Sequence, residues 1–181
     1  MFMGLGAGQS ARDVAVSARK GELGVSEILT TGLLMGLIAT LAMDAWAVLI
    51  NRVMKLPAPN WGLPGRWVGH MPAGRLFHDD IAAADPVAGE HAIGWVFHYA
   101  VGIAYGVALA LIMGPSWLAA PTFLPAFVFA IATISFGWFL MQPGMGAGLA
   151  ASRTPTPWRA RGLGLAAHTV FGVGLWAGAV I

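Results

Sequence analysis

Apolar residues run almost unbroken through four stretches of this chain, and polar residues gather between them. The stretches cover about 28–54, 91–113, 121–141 and 163–181. A helix needs roughly 20 mainly apolar residues to cross the hydrocarbon core of a bilayer. Each stretch is close to or above that length, and only helices satisfy their own backbone inside lipid without closing into a barrel. The pattern therefore predicts an all-α bundle of about four transmembrane helices. Ser26 and Glu27 mark the start of the first span, Gly114-Pro115 the end of the second, and Pro121 the start of the third, which Pro143 kinks or ends.

The first two spans are joined by one long connection, Lys55 to Glu90. It is rich in Pro and Gly, yet it also carries Trp61, Trp67 and several apolar residues, so it is expected to fold against the bundle. Residues 1–25 mix small and charged side chains and read as a flexible tail, which leaves 26–181 as a single transmembrane domain. Gly4, Gly6 and Gly8 lack the strand-and-helix context of a nucleotide loop, and no basic region precedes an apolar one as in a cleavable signal.

Composition sharpens this picture. Hydrophobic residues make up 57% and charged residues 10%, against about 25% charged in soluble domains. The mean hydropathy is +0.72 and the pI about 9.5. The ten basic residues are dispersed, which argues against nucleic acid as a partner and leaves the lipid bilayer. With no cysteine, disulfides, thiolate metal sites, iron–sulfur clusters and covalent haem attachment are excluded. Lys and Arg fall three in the tail, four around the first loop, none in the second and three in the third. The excess of basic residues beside loops one and three places them in the cytoplasm.

Three spans share a spacing. Gly32, Gly36, Thr40 and Asp44 follow at steps of four, as do Gly94, His98, Gly102 and Gly106, and then Gly164, His168 and Gly172. Such steps keep residues on one helix face, and small residues there let helices approach closely in lipid. At 1.5 Å per residue, His98, His168 and Asp44 each lie roughly 10–12 Å inside the loop-one end of their spans. They are therefore expected to meet at one level. Ionisable groups at that depth are functional candidates by default, while an Asp–His pair that only fixes helix packing is the competing reading.

Loop one adds His70, His78 and Glu90, residue types that hold borderline divalent metals, although no standard metal motif is present. Met141 and Met145 around Pro143 offer soft ligands, and are also ordinary packing residues. Arg153, Arg159 and Arg161 beside Trp158 suit an interfacial anchor.

The strings Asn60-Trp61, Arg66-Trp67-Val68-Gly69-His70-Met71-Pro72, Met141-Gln142-Pro143 and Gly144-Met145-Gly146-Ala147-Gly148 carry a family likeness, continued by Ala151-Ser152-Arg153-Thr154-Pro155 and Pro157-Trp158-Arg159-Ala160-Arg161. In these the chain resembles the bacterial inner-membrane family known as domain of unknown function DUF2938. The resemblance covers nearly everything after the tail and implies a multi-span inner-membrane protein, with no activity to carry over. Asn60, Arg66, Gln142 and Arg153 from these strings complete a candidate ligand-binding set with Asp44, His98 and His168.

Three functions remain open from the residues alone. The first is binding or transport of a small polar ligand, ion or proton through the Asp/His site, with a homo-oligomer expected because four spans are few for a pathway. The second is a membrane enzyme or cofactor carrier holding a divalent metal or haem. The third is a structural or accessory subunit.

Overall fold

The computed structural model describes residues 23–181. The expected N-terminal tail lies almost wholly outside the described residues, and Val25 already belongs to the first helix. Four helices are long and apolar enough to cross a membrane: α1 (Val25–Met54), α3 (Glu90–Ala119), α4 (Phe123–Gly144) and α5 (Pro157–Val180). A shorter helix, α2 (Gly62–His70), lies in loop one. Among the described residues there is no strand.

Each terminus has a local cause. At the start of α1 the Glu27 carboxylate accepts the Gly24 N–H at 2.9 Å, satisfying one of the donors that a helix N-terminus leaves open. Lys55 ends α1 in the left-handed region (φ 55), ahead of Pro57 and Pro59. The Asn60 side chain accepts the Gly62 N–H at 3.0 Å and so turns the chain into α2.

The helix bounds differ from the hydropathy pattern in three places. α3 passes Gly114, where φ 68 and ψ −175 break the helical path, and one further turn follows from Pro115. α4 widens into a π-helical turn, Gly137–Met141, in which Gln142 donates to Gly137 O. That turn directly precedes Pro143, which has no N–H for the usual ladder. α5 starts at Pro157 rather than near 163, because proline suits the first helical position.

α1 is the central element, packed on α3 and on α5, while α4 packs on α5 and touches α3 only slightly. Small residues make the α1 contacts. A Cβ at Gly32 would lie 2.6 Å from Val107 Cα, and one at Gly36 would lie 2.5 Å from Ile103 Cα. On the other side of α1, a Cβ at Gly174 would meet Ala39 and one at Gly178 would meet Met35. The Gly164–His168–Gly172 ladder does not share that interface: Gly172 abuts Phe127 and Ala130, and Gly164 faces Ile134, all on α4.

The buried core (Met35, Ala39, Leu109, Ala110, Ala126, Ala130, Phe171, Leu175) fills the half of the bundle away from loop one. Loop one folds onto the other half. Gly65 and Gly94 bring the backbones of α2 and α3 together, as either Cβ would collide with the facing main chain. Trp67, 1% exposed, donates its indole N–H to Leu76 O at 2.8 Å. Loops one and three meet at the same end, where His78 N–H donates to Gly144 O and Ile81 N–H to Met145 O.

Candidate functional site

The incomplete α3–α4 seam leaves a cavity of about 210 Å³ in the loop-one half of the bundle. α1 contributes Thr40, α3 His98 and Tyr105, α4 Thr133 and Met141, and α5 His168. Phenylalanines fill much of the remaining wall, and Trp61 of loop one also lines it. Phe97 faces Phe136 at 6.3 Å and Tyr105 faces Phe129 at 6.2 Å, so aromatic pairs bridge the seam at two levels.

The three ionisable residues expected at one depth are partly united. His98 Nε2 lies 3.1 Å from Asp44 Oδ1, and the Tyr99 hydroxyl donates to Asp44 Oδ2 at 2.6 Å. Both carboxylate oxygens are thus engaged by α3. His168 joins His98 on the cavity wall but not the carboxylate; its Nδ1 lies 3.0 Å from Gly164 O, one turn earlier. Trp61 stacks on His98 with centroids 3.9 Å apart and planes inclined by 26°.

These contacts set the tautomers. A carbonyl only accepts, so His168 carries its hydrogen on Nδ1 and the neutral ring keeps a lone pair on Nε2. His98 Nε2 shares one hydrogen with Asp44 Oδ1, which leaves Nδ1 as its second ring nitrogen. Each cavity histidine therefore has one nitrogen committed to the protein and one without a partner among the described residues, and that of neutral His168 can accept a hydrogen bond or a proton.

The other candidates lie elsewhere. Arg66 is a hub for loop one: Nε and one terminal nitrogen bind the Glu90 carboxylate at 2.8 Å each, and the other terminal nitrogen donates to the carbonyls of Ile81, Ala82 and Ala84. The Glu90 carboxylate raises the Arg66 pKa above its ordinary value, so this clamp keeps its charge throughout the working pH range. Asn60 serves as the turn-forming residue before α2. Gln142 Oε1 is buried without a partner, the only such side-chain atom among the described residues. Arg153 is exposed, while Arg161 donates to Ala150 O at 2.8 Å and covers the Trp158 ring at 4.6 Å.

His70 and His78 do come together, at 2.7 Å, but Glu90 is held by Arg66 and is not with them. Among the described residues no group of three or more His, Asp or Glu side chains is arranged to hold a metal.

Tyr99 and Trp61 are the site residues that sequence reasoning missed. A tyrosine adjoining a histidine inside an apolar span is a usable signal, since a buried hydroxyl needs a partner. Trp61 offered none, because its contact with His98 depends on how loop one folds.

Fold and site together define a small multi-pass membrane protein with a histidine-lined cavity inside its bundle. The chain belongs to the family described as Protein of unknown function (DUF2938), whose model matches residues 33–181. No curated protein and no solved structure matches it.

Proposed function

We propose that this protein binds a small, membrane-soluble molecule carrying a hydrogen-bond donor, and that the Asp44–His98 pair accepts a proton at the site. The observation that carries this reading is that His98 and His168, from different helices, line one cavity while each keeps one uncommitted ring nitrogen. The volume of about 210 Å³ lies below the roughly 300–1,000 Å³ of pockets for drug-sized ligands, which favours a small molecule over a macrocycle such as haem. The mainly apolar wall favours a ligand that partitions into lipid. The slight α3–α4 contact supports entry from the bilayer.

We also infer residence in the bacterial inner membrane with loops one and three in the cytoplasm, on the basic-residue asymmetry, and a homo-oligomer if the site serves a transport path.

The test is mass spectrometry of small molecules extracted from detergent-purified wild type, Gly137→Leu and a His98→Ala/His168→Ala double variant. A Cβ at Gly137 meets nothing within 4 Å, so leucine there fills the cavity without a clash at its root. A stoichiometric molecule present in the wild type and lost from both folded variants supports the proposal. Equal recovery from all three, or nothing in any, overturns it. Metal content and visible absorption of the same samples decide the cofactor-carrier alternative.

A further inference from the structure

Outside the cavity, the histidine pair of loop one has a proton inventory set by its neighbours. His70 stands at the end of α2 and is 8% exposed, and His78 lies on the following stretch of the loop. Four ring nitrogens form a chain of three contacts. His70 Nε2 is 3.0 Å from Asp85 O, His70 Nδ1 is 2.7 Å from His78 Nε2, and His78 Nδ1 is 3.2 Å from Gly144 O.

Both ends of that chain are backbone carbonyls, which accept and never donate, so the nitrogens facing them must each carry a hydrogen. The middle contact needs one more hydrogen, on either of its nitrogens. Three hydrogens on four nitrogens make one neutral imidazole and one imidazolium. Two neutral rings supply only two hydrogens and leave one contact unmade. Two imidazoliums set N–H against N–H and break the middle one.

We propose that His70 and His78 together form a site for a single shared proton, and that this proton fastens loop one to the end of the third membrane span. The fastening point is specific. Gly144 O accepts the His78 backbone N–H at 2.9 Å as well as the ring, and Ile81 N–H donates to Met145 O at 3.1 Å beside it. Gly144 closes the helix that carries the π turn of α4, so the proton holds loop one against the end of the element whose Gly137 and Met141 line the cavity. The inference goes beyond the ligand reading and does not depend on what the cavity holds.

The charged residues of the elements that meet at the pair are few. In loop one, Asp79 and Asp80 adjoin His78, and Asp85 faces Arg75 at 3.8 Å. On α2, Arg66 precedes His70 by one turn and is matched by Glu90 of α3. The chain from 121 to 152, which brings Gly144 and Met145, contains no charged residue. Apart from the Arg66–Glu90 pair, the charged residues of this stretch are thus three exposed carboxylates and one arginine.

The fastened state holds one proton more than two neutral rings, so raising the pH favours release. By the same count the fastening tightens as pH falls from the range of two neutral rings and loosens again once both rings are charged.

The experiment uses full-length protein labelled with ¹⁵N-histidine in lipid nanodiscs. The resonances of His70 and His78 are assigned by loss in His70→Gln and His78→Gln. Three protonated nitrogens among the four, over a pH window in which the protein is folded, are expected. Two protonated nitrogens giving way directly to four would overturn the shared proton. Deuterium exchange of the amides of 76–82 in unmodified wild type, corrected for the intrinsic pH dependence of exchange, tests the fastening. Protection is expected to be several-fold higher in the pH range with three protonated nitrogens than in the range with two. Equal protection in the two ranges would overturn it, whatever the behaviour of the variants.

Discussion

At the scale of single residues, Asp44 illustrates how far a carboxylate inside an apolar span depends on its partners. His98 and Tyr99 use both of its oxygens, and neither has another partner among the described residues. Replacing Asp44 by leucine strands a hydroxyl and a ring N–H in apolar surroundings, at about 1–3 kcal/mol for each group. Asp44→Asn keeps an acceptor for one of them and a similar shape. Thermal unfolding in detergent should therefore rank wild type above Asp44→Asn and Asp44→Leu lowest. Equal midpoints for the two variants would show that the contacts carry little stability.

The glycines divide in the same way. A Cβ at Gly106 would fall among the backbone atoms of Gly32 and Gly36, whereas one at Gly137 enters open space. Gly106→Val should force α1 and α3 apart and cost about 1–3 kcal/mol or more, while Gly137→Leu should be neutral or stabilising. Thermal scans of the two variants side by side check this. A stable Gly106→Val would mean that the α1–α3 contact is looser than the structure has it.

At the scale of elements, loop one behaves as a fifth packing unit. α2 lies against α3 through Gly65 and Gly94, and Arg66 ties three loop carbonyls to Glu90. Arg66→Lys keeps the charge but loses the planar fork that serves the carboxylate and the carbonyls at once. Limited proteolysis should then cut between 74 and 88 several-fold faster than in wild type, with the four spans left intact. Unchanged cleavage would show that α2 packing alone holds the loop. The long loop was legible as folded from its tryptophans, and the π turn was foreshadowed only as a kink at Pro143. Periodicity reports which face is small or apolar, but not which neighbour that face meets. For that reason Gly164, His168 and Gly172 read as one small-residue face without a named neighbour, and in the folded chain they turn toward α4 and the cavity.

At the scale of the whole molecule, the bundle has a tightly packed half and a cavity-bearing half, with loops one and three gathered over the latter. The absence of cysteine makes the arrangement testable, because each introduced thiol is unique. With a membrane-impermeant maleimide on intact and on permeabilised cells, Asp80→Cys and Thr154→Cys should label from one side and Ser116→Cys from the other. Labelling of Asp80→Cys and Thr154→Cys from opposite sides would contradict the fold.

The sequence by itself determined the number of helices fit to span a membrane, the small-residue ladders and the similar distances of Asp44, His98 and His168 from the loop-one ends of their helices. Those properties follow from hydropathy summed over a helix and from a fixed rise per residue, both local. It also carried the strings that place the chain in its family. Only the tertiary structure decided that α1 is central and that α3 and α4 part around a cavity. Only the fold pairs Asp44 with His98 and Tyr99 while His168 binds its own helix, and only the fold sets Trp61 on His98 and His70 against His78. Each of these depends on the rotation of one helix about its axis relative to another, or on the path of a loop. Small-residue faces occur on several sides of these helices, so spacing alone leaves those rotations undetermined.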